Sequence, residues 1–248
     1  MTVSSTHASF TGTIPENYDT YLGPLLFEFT GADLAGRLNK ALNGSPAKVL
    51  EVACGTGIST RHLAELLPAN TTILATDLND AMLAHAQKVN AGLSGVSYSQ
   101  ADALDLPFDD ETFDAVVCPF GVMFFPDKAL GMSEMTRVLK PGGVMALNVW
   151  DSFAHNQVVE IVDRIIKQFF NSDPPRFLET PFGMSDISEG RNLFRDAGFD
   201  SVEVDHVRQI VTIEDHHKLA RGFITGNPTV IEVEQRASVS VEEIIAAA

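Results

Sequence analysis

Between residues 47 and 150, short apolar runs alternate with stretches in which apolar residues recur at every third or fourth position. The runs at 49–53, 72–76, 96–99, 113–118 and 144–150 have the length and β-branched content of buried strands. Between them the periodicity predicts helices. One covers 59–67 and stops at Pro68. A second is capped by Asn79 and carries Met82, Leu83, Ala86 and Val89. A third runs from its cap Asp127 to Lys140 and is closed by Pro141-Gly142-Gly143. This βαβα rhythm predicts an α/β, Rossmann-like, doubly wound and mostly parallel sheet with helices on both faces.

The flanks read differently. Residues 14–42 predict two helical pieces broken at Gly23-Pro24. The second piece carries Leu34, Leu38 and Leu42 on one face and an Asp33–Arg37 pair one turn apart. Asn43-Gly44-Ser45-Pro46 ends it. Beyond 151, helices are expected near 157–170, 187–197 and 215–225, with a strand near 202–213. Residues 229–233 read as a short strand, and 241–248 as the start of a helix.

Charge narrows the partners. With 17 Lys+Arg against 33 Asp+Glu, the net charge is −16, which argues against nucleic acid and against an anionic membrane surface. The start MTVSSTHASF lacks a basic, apolar leader, and no apolar run reaches the roughly 18 residues of a membrane span. Cys54 and Cys118 read as reduced thiols rather than a bridge. A cytoplasmic protein is expected, a monomer or a homodimer.

The chemistry concentrates where the first strand meets Gly55-Thr56-Gly57. Glycine lets the backbone turn sharply and approach a ligand, and the next helix offers free N–H groups there. Asp77 follows Gly57 by 20 residues, at the end of the second strand, where a carboxylate accepts both ribose hydroxyls. Two nucleoside-binding classes fit. A dinucleotide site wants a further glycine where this chain has Thr60, whereas a methyl donor without a pyrophosphate does not.

Four stretches carry a resemblance. VLEVACGTG (49–57), ATDLNDAML (75–83), QADALDLPFDDETFDAVVC (100–118) and RVLKPGGVMALNVW (137–150) resemble, in order, the motifs of class I S-adenosylmethionine-dependent methyltransferases. The branch they are most similar to is the small-molecule group related to the ubiquinone and menaquinone C-methyltransferases. IPENYDTYLGPLLFEF and FLETPFGMSD resemble a bacterial subgroup of that branch. The resemblance implies S-adenosylmethionine as methyl donor, S-adenosylhomocysteine as product, a small organic acceptor and no metal. It implies one domain over 1–248: a helical cap at 14–46, a cofactor-binding core at 47–150, a substrate-side insertion at 151–185, and the C-terminal part of the sheet with helices at 186–248. The family's sheet ends in an antiparallel strand, which is not clearly present here.

Residue by residue, the resemblance implies that Gly55 and Gly57, with the Ala53 and Cys54 backbone, line the methionine part of the donor. Asp77 would hold the ribose, Leu78 and Met82 the adenine, and Asp102 with Ala103 the adenine edge. Phe120 would lie near the sulfonium. Glu51 either braces the glycine loop or is a strand-end acid reached by water. Tyr18 and Tyr21, polar-tipped beside the helix break, are expected to line the site. Phe27, Trp150, Phe177 and Phe182 are candidate walls for a partly hydrophobic acceptor, whereas Phe124 and Phe125 read as core. Methyl transfer is an in-line displacement that needs chiefly alignment. Where the acceptor carries a proton, His155, Asp151 and Tyr21 are the candidate catalytic residues. His62 and His85 lie on helices with no visible partner, and His216-His217 reads as helix surface. Two alternatives remain at this point: an NAD(P)-dependent oxidoreductase on a similar sheet, and a non-catalytic protein that binds the donor.

Overall fold

A computed structural model describes residues 9–236 and 239–248. The chain enters through α1 (Ile14–Asn17), a π-helical stretch (Tyr18–Phe27) and α2 (Glu28–Ala41). The expected break at Gly23-Pro24 does not occur. Pro24 has no N–H to give the helix ladder, and the wider π winding accommodates it without ending the helix. Five strands then alternate with helices: β1 (Lys48–Val52), α3 (Ile58–Leu66), β2 (Thr72–Asp77), α4 (Asp80–Val89), β3 (Val96–Gln100), β4 (Phe113–Pro119), α5 (Lys128–Arg137) and β5 (Leu139–Asn148). The remaining helices are α6 (Gln157–Gln168), α7 (Ile187–Asp196), α8 (His216–Thr225), α9 (Thr229–Arg236) and α10 (Val241–Ala247).

The sheet order is β3-β2-β1-β4-β5, and every pairing is parallel. The order reverses between β1 and β4, so their carboxyl ends open the crevice where such sheets bind ligands. Val49, Ile73, Ala115 and Val117 meet Leu34 and Leu38 of α2 and Leu63 of α3 on one face. Leu50, Val116 and Cys118 meet Met132 and Met135 of α5 on the other. This is the α/β architecture that the alternation predicts. Pro141-Gly142-Gly143 is not a turn before β5. It is a bulge inside the strand, where pairing jumps from Phe113–Leu139 to Ala115–Val144.

The C-terminal region departs from expectation. Among the described residues no strand follows β5, so residues 202–213 do not extend the sheet. The apolar residues there lose period two: Val204, Val207 and Ile210 fall three apart and are all exposed. No single face is therefore left to bury. Residues 229–233 belong to α9 rather than to a strand. The buried Asn227 side chain accepts from the Thr229 N–H at 3.0 Å and starts a helix just after Pro228. α6, α8, α9 and α10 pack with Leu22, Phe177 and Leu178 into a second apolar body beyond the strand ends. No helix among the described residues is long and apolar enough to cross a membrane.

Leu63 is wholly buried between α2 and the sheet. Leu63→Ala should therefore cost about 2–5 kcal/mol. Urea unfolding checks this, with a loss below about 1 kcal/mol contradicting the assigned core.

Candidate active site

The carboxyl ends of β1, β2 and β4 open into a cavity of about 690 Å³. Its two ends differ in chemistry.

At one end β1 leaves the sheet through Ala53, Cys54 and Gly55. Gly55 has φ +56°, and a Cβ built there would meet no protein atom within 4 Å, so it would project into the free space the loop encloses. Gly57, at φ +80°, caps α3 from behind: a Cβ there would lie 2.4 Å from Asn90 Nδ2. Asp77 ends β2. One of its oxygens accepts the Gly55 N–H at 2.9 Å and the other the Asn79 N–H at 2.8 Å. Burial pushes the Asp77 carboxyl up, against the hydrogen bonds from Asn79 and Gly55 that pull it down. Leu78, Met82, Asp102 and Ala103 continue this wall, and Asp102 accepts the Leu104 N–H at 2.9 Å. Leu78 stands half-exposed, a large apolar residue facing the cavity rather than the core.

The other end is aromatic. Phe120 stacks on Trp150 with centroids 4.4 Å apart, and Phe27 meets both edge-on. Tyr18 stacks on Phe27 at 4.8 Å. Phe182 borders Trp150, and Phe177 stacks on Phe124. Burial and the nearby Asp19 and Asp77 hold the Tyr18 phenol protonated, as a hydrogen-bond donor. Ala53 and Phe120 both have positive φ, near +55°, where side chains are strained. Both lie just past adjacent strand ends. Gly121 permits their closeness, since a Cβ there would lie 2.6 Å from that of Ala53. Among the described lining residues Asp77 and Asp102 are the charged ones.

The cavity thus brings together Ala53, Cys54, Gly55, Asp77, Leu78, Met82, Asp102, Ala103, Phe120, Tyr18, Phe27, Trp150, Phe177 and Phe182. Five expected residues lie outside its lining. Glu51 and Gly57 sit beneath the loop. Tyr21 is turned against α8, where Gly222 takes its Cβ so closely that an added methyl would lie 2.8 Å away. Asp151 and His155 bond each other at 2.8 Å on the surface, with 64% of the His155 side chain exposed. His62 and His85 do have partners, at 2.7 Å from Glu28 and 3.2 Å from Asp19.

Several lining residues escaped the sequence reading. Phe124 lines the cavity rather than only the core, and Phe10 meets it edge-on at 6.0 Å. Phe10 is roofed over the site by a 3.3 Å hydrogen bond from its N–H to Asn79 Oδ1. Asn156 and Asn227 also reach the wall. Asn79 lies within the 75–83 motif, whereas Phe10 falls in none of the motifs and carries no signal of its own.

The fold and crevice define a nucleoside-binding α/β protein, and comparison with known proteins narrows this. The family described as Methyltransferase domain matches residues 49–143. The demethylmenaquinone methyltransferase of Staphylococcus carnosus is 32% identical, over 64% of this chain and 70% of that protein. The ubiquinone/menaquinone biosynthesis C-methyltransferase UbiE of Klebsiella pneumoniae is 30% identical, over 71% and 70%. A solved SAM dependent methyltransferase from Aquifex aeolicus superposes with TM-score 0.53 at 21% identity, over 75% of this chain and 86% of that one, and bears on the fold. The chain belongs to the class I S-adenosylmethionine-dependent methyltransferases, in a small-molecule branch related to the ubiquinone and menaquinone C-methyltransferases. It is an enzyme that transfers a methyl group from S-adenosylmethionine to a small organic molecule. The oxidoreductase and non-catalytic readings are not favoured. The cavity fits the donor: the space over Gly55 is one a Cβ would fill, beside a buried carboxylate.

Because His155 lies on the surface outside the cavity lining, His155→Ala should leave the methyl-transfer rate within about twofold. A steady-state assay at saturating acceptor tests this, and a hundredfold loss would restore His155 as a base.

Proposed function

We propose that the acceptor is a flat, ring-bearing and uncharged molecule of the quinone or quinol class, bound at the aromatic end of the cavity. The supporting observation is that one cavity joins the Gly55–Asp77 corner to the Phe120–Trp150 stack. The names of the relatives point the same way, since they describe a demethylmenaquinone methyltransferase and a C-methyltransferase of ubiquinone and menaquinone biosynthesis. Residues 14–46 then act as a cap, 47–150 as the donor-binding core, 151–185 as the acceptor side, and 186–248 as helical support. The protein works in the cytoplasm as a monomer or homodimer, and its acidity leaves nucleic acid out of its partners.

In this reading Asp77 holds the ribose hydroxyls, Leu78 and Met82 flank the adenine, and Asp102 with the Ala103 N–H meets its edge. Ala53, Cys54 and Gly55 hold the methionine part, and Phe120 and Tyr18 face the sulfonium. The donor, when bound, supplies a methyl group on a cationic sulfur. Aromatic faces favour that charge. Phe27, Trp150, Phe177 and Phe182 fix the ring plane of the acceptor and exclude water, so the rate comes chiefly from alignment. Tyr18 donates a hydrogen bond and does not serve as a base.

Two substitutions separate the ends. Asp77→Ala should weaken binding of S-adenosylhomocysteine by about tenfold or more, from the loss of charge-assisted hydrogen bonds. Phe182→Ala should raise the acceptor KM by about tenfold and leave donor binding unchanged. The activity itself is tested with labelled S-adenosylmethionine and a panel of short-chain demethylated quinols, simple phenols, amines and carboxylic acids. Labelling of the quinols is expected. Labelling of amines or acids with none of the ring compounds would overturn the acceptor class.

A further inference from the structure

The loop between β5 and α6 sets a polar side chain among the aromatic walls of the cavity. Asn156 lines the cavity and immediately precedes α6. Three residues before it, Phe153 packs on Phe182 with ring centroids 4.7 Å apart. Three residues after it, Val159 lines the cavity and clusters with Phe177 and Leu178. Asn156 therefore belongs to the aromatic end rather than to the Gly55–Asp77 corner.

Its amide is held in one orientation. Nδ2 donates to the Asp151 carbonyl at 2.9 Å and to the Ser152 carbonyl at 3.0 Å, which uses both of its protons. Turning the amide over would set an oxygen against two carbonyl oxygens. An asparagine at the start of a helix usually spends Oδ1 on the first free N–H groups of that helix. Asn156 does not. The Val159 N–H at 2.9 Å and the Glu160 N–H at 3.3 Å bond its backbone carbonyl instead, and the side chain makes no cap. Oδ1 is thus a fixed acceptor with no partner among the described residues. Asn227 offers no such oxygen to the cavity, because its Oδ1 takes the Thr229 N–H at 3.0 Å.

We propose that Asn156 is a specificity-determining residue, whose Oδ1 accepts a hydrogen bond from a hydroxyl on the acceptor ring and so selects rings with a phenolic O–H over the same rings without that proton. This rests on assigning the aromatic end to the acceptor. A flat ring between aromatic faces is free to turn in its own plane, and one directional bond at its edge removes that freedom. An amide oxygen is too weak a base to keep the proton, so Asn156 orients the ring and does not activate it. An ether oxygen in the same place has no proton to give and leaves Oδ1 desolvated and unpaired, which is the origin of the selection.

Equilibrium dialysis of 1-naphthol and of its methyl ether tests this, against wild type and Asn156→Ala saturated with S-adenosylhomocysteine. The two probes share the ring and the oxygen and differ in the proton. The wild type should bind naphthol about tenfold more tightly than the ether. Asn156→Ala should lose that preference, with naphthol about tenfold weaker and the ether within about twofold of wild type. The variant also gives up two holds on the loop, and the ether controls for this, since a loosened loop weakens both probes alike. A wild type without the preference overturns the proposal and leaves the aromatic site standing, a result that needs no variant. A preference that survives in Asn156→Ala, or a variant that binds neither probe, also overturns it. A wild type that binds neither probe overturns the aromatic acceptor site and the proposal together.

Discussion

One carboxylate ties together the parts of this protein that must not move independently. Asp77, at the carboxyl end of β2, receives the Gly55 N–H from the loop after β1 and the Asn79 N–H at the start of α4. Hydrogen bonds to a charged acceptor contribute about 1.5–3 kcal/mol each, more than neutral ones, and both are sheltered here. Asn79 then passes the constraint on, because its side chain takes the Phe10 N–H that brings the entering chain over the crevice. Glycine loop, helix start and roof therefore share one anchor. A ribose bound there, as proposed, would use the remaining acceptor capacity of a group already fixed in place.

The opposite end is built by packing. Phe27, Phe120 and Trp150 form a mutually stacked and edge-on set, and Phe177 with Phe124 extends it. The backbone strain of Ala53 and Phe120 sits at the seam between the two ends, where β1 and β4 leave the sheet side by side. Strain in such a place is retained because the surroundings fix it. Here the sheet below and Gly121 alongside do so, and the reward is an aromatic face brought against the glycine loop. Polar recognition at one end and shape at the other suits an enzyme with a common donor and a particular acceptor.

Much of this is legible in the amino-acid sequence. The strands, the glycine loop and Asp77 follow from local rules: a run of apolar residues, a sharp turn and an acid at a fixed distance. What failed depended on distant parts of the chain. Tyr21 was expected beside Tyr18 at the site, but its direction is set by the winding of a π-helical stretch and by the space over Gly222 on α8. Asp151 and His155 follow β5 as expected, yet they pair with each other at the surface. Residues 202–213 carry strand-forming side chains without a consistent face, so propensity alone misled. The sequence places Phe124 in the core, because its edge-on contact with Phe10, far off in sequence, carries no local signal. Glu51 was open between bracing the loop and meeting water at a strand end. Its complete burial removes the solvent-exposed form of the second reading.

The most direct test of a shared cavity is a crystal structure of the full chain with S-adenosylhomocysteine bound. The ribose should lie against Asp77, with the sulfur directed at the Phe120–Trp150 stack and open aromatic-lined space beyond it. Product bound with its ribose away from Asp77, or with its sulfur pointing away from that stack, would contradict the arrangement described for this enzyme.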